Sequence, residues 1–490
     1  MPQAFRPAIL WIAGAVLFFV LATANAGGYR YGASDQAFYI PAIRDAMTPP
    51  LFPRDSAMLA AQGGAILWDG IVGGLTTGLG VPLPWVFFGV YVLGVIALYA
   101  GGTLTAHVAG VGAWGTVALM AALTLRHRIA KTGVNTLEGY LHPRMIAFAI
   151  GLFATAAFLK RRPVAALVAI LIAGAVHPTT AVWFALLIGV AACVAWPTWR
   201  VPLLTVGVAG AAGAAWAVLA GPLASRAVVM DASWLEAVAT KDYLFPHAWP
   251  VYAWLLNLLP AALCGLLLAR ARDLSAELRG LLVGSLALTA FFLVTLPLVT
   301  MRYALAVQMQ IPRVFWLVEL TALLGLAAVA SRAPHVTAAR VVAIFLIVLS
   351  TARAGVVLFS EKDGRLATIG LPADDWTAAQ RWLRDHTPRD AHVLADPDHA
   401  WRYGSSVRVG AERDVFHEDV KDSALAMYDR DVALRVVERR ARTSGFPSLS
   451  VDEIRALAHD FDLDYLISDE SLALPIVYEN ATFRIYALEP

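Results

Sequence analysis

The sequence predicts a mainly α, polytopic membrane protein with a small C-terminal α/β domain on the outer side. Three observations lead there. First, 59% of residues are hydrophobic and only 15% charged, with mean hydropathy +0.64, whereas soluble domains carry about 25% charge. Second, apolar runs near the roughly 20 residues needed to cross a bilayer alternate with short basic loops as far as residue 358. Third, the chain then turns polar, with frequent carboxylates, arginines and histidines. This shift divides a membrane domain, 1–358, from a water-soluble tail, 359–490.

Taken in order, the apolar runs predict about eleven spans, at 7–26, 84–102, 108–126, 143–160, 163–178, 179–197, 201–221, 250–269, 280–299, 313–331 and 339–358. His177-Pro178 supplies the turn between two nearly unpunctuated runs. Lys and Arg favour the cytoplasmic side. Arg6, Lys160 to Arg162, Arg200, Arg270, Arg272, Arg279, Arg332 and Arg340 form one consistent inner set. The N-terminus is then inside, and segments 27–83, 127–142, 222–249, 300–312 and the tail face outward. Segment 64–80 tempts a span assignment, but it is short, glycine-rich and carries Asp69. A span there would invert every later loop, so it reads as an amphipathic helix lying in the outer interface. Ala24-Asn25-Ala26 has the small-residue pattern of a signal-peptidase site; cleavage there would leave the later topology unchanged. Cys193 and Cys264 lie in separate apolar runs and read as core residues without a disulfide. The net charge of +2 gives no field suited to nucleic acid.

The first outward loop, 27–83, is long, and long ordered loops are commonly functional. Ser34 is placed to cap a helix starting at Asp35, with Phe38, Tyr39, Ile43 and Met47 along one side and Pro49-Pro50 ending it. A carboxylate directly after a span, in an aromatic frame, is costly unless it has a task. Arg44, Asp45, Arg54 and Asp55 fit an ordinary solvated loop surface as well as a site. Loop 127–142 breaks the charge rule: Arg126, Arg128, Lys131 and Arg144 lie at an outward face, where a lipid phosphate is a suitable partner. His142-Pro143, His177-Pro178, Arg302, Arg313 and Arg353 fall at or near outer ends of spans. Ionisable groups there are functional candidates, and arginine's planar fork matches phosphate oxygens.

In the tail, 374–386 reads as a helix with Trp376, Ala379 and Leu383 on one face. A strand at 391–395, helices near 422–442 and 451–461, and strands at 464–468, 476–478 and 482–486 complete a small α/β domain. His386, His392, His399 and His417 lack zinc-ligand spacing. Asp396-Pro-Asp398-His399 reads as a turn.

This arrangement resembles the GT-C superfamily of polytopic glycosyltransferases, among them protein O-mannosyltransferases and lipid A aminoarabinose transferases. The resemblance rests on the acid within Ser34-Asp35-Gln36-Ala-Phe-Tyr-Ile-Pro41, the long first outward loop, about eleven spans and a C-terminal domain on the same side. His177-Pro178, Gln310-Ile-Pro-Arg313, the stretch Trp382 to Pro388, Asp464 to Ile467 and Val477 to Asn480 are similar to segments of bacterial GT-C-like proteins. The resemblance implies a bacterial inner-membrane enzyme that moves a sugar from a polyprenyl-phosphate donor to a hydroxyl acceptor, with inversion and among membrane lipids. It implies Asp35 as base, with Arg302, Arg313 or Arg353 on the leaving phosphate, helped by Lys131 or His142. Relatives often carry a second acid beside the first. Here Gln36 stands there, so a divalent metal has no paired-acid motif, and Asp55 and Asp69, with Arg54 as a loop contact, are the remaining candidates. Two other classes compete. A transporter or flippase would need midplane polar residues and usually an internal repeat, and no repeat is evident. A membrane sensor would bind a ligand with its outward tail.

Overall fold

The computed structural model describes residues 5–63, 67–125, 128–332, 335–360 and 364–488. Arg126 and residues 64–66, named above, lie outside them, as does the Arg6 side chain. Eight described helices are long and apolar enough to cross a membrane: Ala8–Asn25, Leu83–Val108, Pro178–Ala195, Pro197–Leu219, Val251–Arg270, Ala276–Thr300, Ala304–Ala330 and Val336–Ser360. The other three expected positions are helical but shorter: Ala113–Thr124, Pro143–Leu159 and Pro163–Val176. The first corrects the expected span 108–126. Gly110 is left-handed (φ +79°) and Gly112 extended, so the helix runs only 12 residues. At 1.5 Å per residue that is roughly 18 Å, short of the roughly 30 Å hydrocarbon core.

Close contacts divide the chain into two units: residues 1–29, 90–229 and 242–366, and residues 30–89, 230–241 and 367–490. The first unit is the helical bundle. Its helices pack closely where side chains are small, as is general between membrane helices. A Cβ on Gly280 would lie 2.6 Å from the Ala191 carbonyl oxygen, and one on Gly284 would lie 2.6 Å from that of Leu187. This four-residue repeat seats Ala276–Thr300 directly on Pro178–Ala195. Cys264 is buried, while Cys193 is half-buried. Helix Arg200–Leu219 has no buried residue, so its apolar surface is left for lipid.

The second unit is built on a five-stranded mixed sheet. Its strands are β1 (His392–Leu394), β2 (Asp414–Val415), β3 (Tyr465–Ser468), β4 (Ile476–Glu479) and β5 (Arg484–Ala487), in the order β2-β1-β3-β5-β4. β1 is parallel to β2 and β3, and the other pairs are antiparallel. One side of the sheet carries helix Asp375–His386 through Trp376, Ala379 and Leu383. The other carries Val451–Phe461 through Ile454, Leu457 and Ala458. Asp374 caps the first helix by accepting from the Thr377 amide at 2.8 Å. Ser450 and Glu453 form a capping box at the second, satisfying donors the helix leaves unpaired. The single helix expected near 422–442 is two, Asp419–Ala426 and Arg430–Arg442, because Asp429 caps a fresh start.

The other segments of this unit are helices Gln36–Met47, Ser56–Gly63 and Trp68–Leu79, and the short helix Ala232–Ala237. Trp234 of the last donates its indole N–H to the Ala426 carbonyl at 2.7 Å.

Candidate active site

The chain reaches Asp35 through two left-handed residues, Gly32 (φ +79°) and Ser34 (φ +54°). The buried Gln36 side chain closes this turn by accepting from the Gly32 amide at 2.7 Å. The residue standing where a second acid was looked for is therefore a turn-former. The expected Ser34 cap is corrected as well. Asp35 itself occupies the cap position of helix Gln36–Met47 and makes no side-chain cap bond. The Ser34 hydroxyl lies 3.3 Å from Lys421 Nζ instead.

Lys421 pairs with Asp35, its ammonium 2.9 Å from Asp35 Oδ1. A second lysine, Lys241, is buried beside it and donates to the Val420 carbonyl at 2.7 Å. Burial and the Lys421 charge push the Lys241 ammonium down to about 8, against the opposing pull of Asp419 and Asp35. An adjacent ammonium favours an ionised carboxylate, the form a general base requires. Sequence reasoning missed both lysines. The available signal was compositional: only five of the 38 basic residues are lysine, and two of these converge on one aspartate.

The next acid, Asp55, belongs to a buried ionic network. Its Oδ2 accepts from Arg408 Nε at 2.7 Å and from the Val415 amide at 3.3 Å, and its Oδ1 accepts from Arg435. Arg408 also grips Asp422 through two bonds of 2.7 and 3.2 Å. Burial acts to raise the Asp55 carboxyl, but Arg408 and Arg435 overcome it and hold it down to about 2. Asp414, which accepts from the amides of Arg54 and Asp55 at 3.0 and 3.1 Å, is pushed up to about 6 by burial and the nearby Asp55 charge. The Arg54 guanidinium donates to the Asp390 carbonyl at 2.7 Å. Arg54 and Asp55 thus fasten their loop to the sheet. Asp69, in the first turn of Trp68–Leu79, is raised to about 6 by burial.

The cations expected on a donor phosphate belong to the helical unit. His142 caps Pro143–Leu159, its Nδ1 accepting from the Arg144 amide at 3.1 Å. His177 caps Pro178–Ala195 in the same way, and the two imidazoles lie 6.2 Å apart. Arg144 and Arg313 both act electrostatically on His177, so His142, His177, Arg144 and Arg313 form one cluster. Arg144 is paired at 2.5 Å with buried Glu138, a side chain of the same loop. That loop folds as a hairpin pairing Arg128–Ile129 with Val134–Asn135. Lys131 is bonded to Asp242. Arg353 donates to the carbonyl and side-chain oxygens of Asn25 at 2.7 and 2.8 Å, tying the last long helix to the first. Arg302 is exposed in a left-handed turn (φ +65°) after Ala276–Thr300. The sequence-expected cations are therefore gathered only in part: Arg313 and His142 share one cluster, and Lys131 and Arg353 have separate partners. Among the described residues no group of three or more His, Cys, Asp or Glu is placed to hold a metal ion.

The described chain is thus a bundle of long apolar helices and a small α/β unit. No protein-family model matches the sequence, and no curated protein matches it. Among solved structures the chain is similar to the arabinofuranosyltransferase AftD from mycobacteria, at 14% identity and a TM-score of 0.50. The match covers 98% of this chain but 41% of AftD, so the chain spans less than half the length of that protein.

Proposed function

We propose that this protein is a membrane glycosyltransferase that moves a sugar from a polyprenyl-phosphate donor to a hydroxyl acceptor. The observation that carries the reading is that the likeness in fold to a glycosyltransferase runs along nearly the whole chain, with Asp35 at the start of the first loop helix beside Lys421. In the reaction, Asp35 takes the proton of the acceptor hydroxyl. The hydroxyl oxygen bonds to the anomeric carbon from the face opposite the leaving group. The bond from that carbon to the lipid-phosphate oxygen breaks, and the phosphate leaves with the electron pair. A positioned base contributes about 10²–10⁴-fold. The negative charge on the departing phosphate needs preorganised cations.

The test uses the full chain in nanodiscs, with polyprenyl-phosphate donors bearing different sugars. Because one structural neighbour is an arabinofuranosyltransferase, the arabinofuranose donor is tried first. Transfer with inversion is the expected result, and Asp35→Asn should lower kcat by about 10²–10⁴-fold with an unchanged melting profile. Full activity in Asp35→Asn rules out the base, and failure of every lipid-phosphate sugar rules out the donor class.

A further inference from the structure

The second unit contains a cavity of about 540 Å³ that the transfer reading does not use. Arg44, Arg384, Arg389 and Arg413 line it together with one acid, Glu412. Arg44 is paired with Glu412. Arg384 lies 2.9 Å from its neighbour Asp385, and Asp390 is the other carboxylate acting on the group.

Arg413 is hydrogen-bonded to no carboxylate among the described residues. It is 3% exposed, and its guanidinium donates to the Thr387 hydroxyl at 3.0 Å and to the carbonyls of Arg384, Thr387, Ala411 and Glu412 at 2.7, 2.8, 3.3 and 3.0 Å. Every one of those acceptors is neutral. They fix the guanidinium in place without cancelling its charge. Burial, Arg389 and Arg384 push its pKa down, the response of a cation already in a positive field. The exposed Arg389 adds to that field at the rim.

The lining also has apolar members. Leu83, which lines the cavity, is the first residue of the apolar helix Leu83–Val108. Thr76 lines it from helix Trp68–Leu79. Leu67, Ile71, Leu75 and Leu79, spaced four apart along that segment, are 65, 41, 39 and 66% exposed. Such a stripe suits a helix lying in the headgroup layer.

We propose that this cavity binds a phosphate-bearing ligand, with Arg384, Arg389 and Arg413 supplying positive charge to the phosphate and Met47 and Leu83 meeting the apolar part. The ligand comes either from an anionic lipid headgroup at the membrane surface or from a phosphorylated solute. The site does not depend on glycosyl transfer.

Two probes separate the sources in the full-length protein. Inorganic pyrophosphate is titrated calorimetrically into protein in phosphatidylcholine nanodiscs. Retained phosphatidylglycerol is counted by native mass spectrometry after extraction from mixed bilayers. Arg384→Ala/Arg389→Ala removes charge from exposed positions, Thr48→Trp obstructs the cavity without changing charge, and Arg381→Ala removes an exposed arginine from the same helix outside the lining. The expected result is saturable binding of at least one probe, weakened about tenfold or more in the double variant and in Thr48→Trp, and unchanged in Arg381→Ala. Retention of phosphatidylglycerol alone assigns the lipid source, and pyrophosphate binding alone assigns the solute. The proposal is overturned if neither probe saturates, or if the double variant binds as Arg381→Ala does. Asp35→Asn should bind as the unaltered protein does, so loss of transfer and loss of binding read separately.

Discussion

In the transfer proposed above, Lys421, 2.9 Å from Asp35, acts as a positioning residue with a distinct signature. Lys421→Met removes the ammonium that favours the ionised carboxylate, so the acid limb of the kcat/KM profile should move to higher pH. Lys421→Arg keeps the charge and should restore most of the original limb; a purely structural lysine would leave the limb in place. A second residue sets a pH limit on stability. His392 is 1% exposed, donates Nδ1–H to the Phe461 carbonyl at 3.1 Å, and is pushed down to about 4, chiefly by burial. The folded state therefore holds this imidazole neutral. Its contribution is fully present above an ordinary histidine value of about 6.5 and is lost as pH falls from there towards 4. Asp414, raised to about 6, works in the opposite direction: its contribution is present below an ordinary aspartate value and lost as pH rises through 6. Because the two oppose each other over this range, the test is a difference: as pH falls from 7 to 4.5, the melting midpoint of the unaltered protein should drop relative to that of His392→Asn. An unchanged slope in the variant would exclude this histidine as the cause.

Among elements, the seam between Pro178–Ala195 and Ala276–Thr300 is the most exacting. Gly280 and Gly284 stand one turn apart, each with a facing carbonyl oxygen 2.6 Å from where a Cβ would sit. Backbone cannot move aside as a flexible side-chain end can. Gly284→Leu should separate the two helices and lower the melting midpoint in detergent, with a cost of about 1–3 kcal/mol or more. Leu at the nearby Gly265, where a Cβ meets nothing within 4 Å, should be tolerated and serves as the control. A Gly284→Leu variant that melts with the unaltered protein would show that the seam yields. The loop elements show the same dependence on long-range partners. Arg54 and Asp55 resemble ordinary loop charges in sequence, yet Asp55 is fully buried and bonded to residues more than 350 positions away. Ser34 fails as a cap because the Gly32 to Gln36 turn forces it into the left-handed region, and Asp35 takes its place.

At the scale of the molecule, the Asp55, Arg408, Asp422 and Arg435 network holds the first loop to the C-terminal sheet inside one unit. Removing one partner of a buried ion pair leaves the other uncompensated, at about 3–5 kcal/mol. Arg408→Met leaves Asp55 with Arg435 alone and takes the two-bond partner from Asp422, and we expect limited proteolysis to open loop 30–89 while the long apolar helices stay protected. Protection of the loop in that variant would mean the network does not fasten it. The same network gives the unit an acid limit, since the Asp55 contribution is present above an ordinary carboxylate value and disappears as pH falls towards 2.

Hydropathy alone located helices at all eleven expected positions, because membrane insertion is a sum over neighbouring residues and leaves a local trace. It also distinguished the polar tail, its two sheet-covering helices and four of its five strands, for the same reason: periodicity is local. β2 escaped notice because two residues, Asp414 and Val415, carry no period. The sequence also singled out Asp35 by its position after the first span. It could not supply Lys241 and Lys421, which lie 206 and 386 positions away, nor could it separate Asp55, a buried structural carboxylate, from Asp35. The arginine-lined cavity was equally hidden, since Arg44 and Arg413 lie 369 positions apart. Charges act through space with a reach set by distance and burial. Tertiary folding sets both, and so it decided which of these charges became partners, anchors or walls of a cavity.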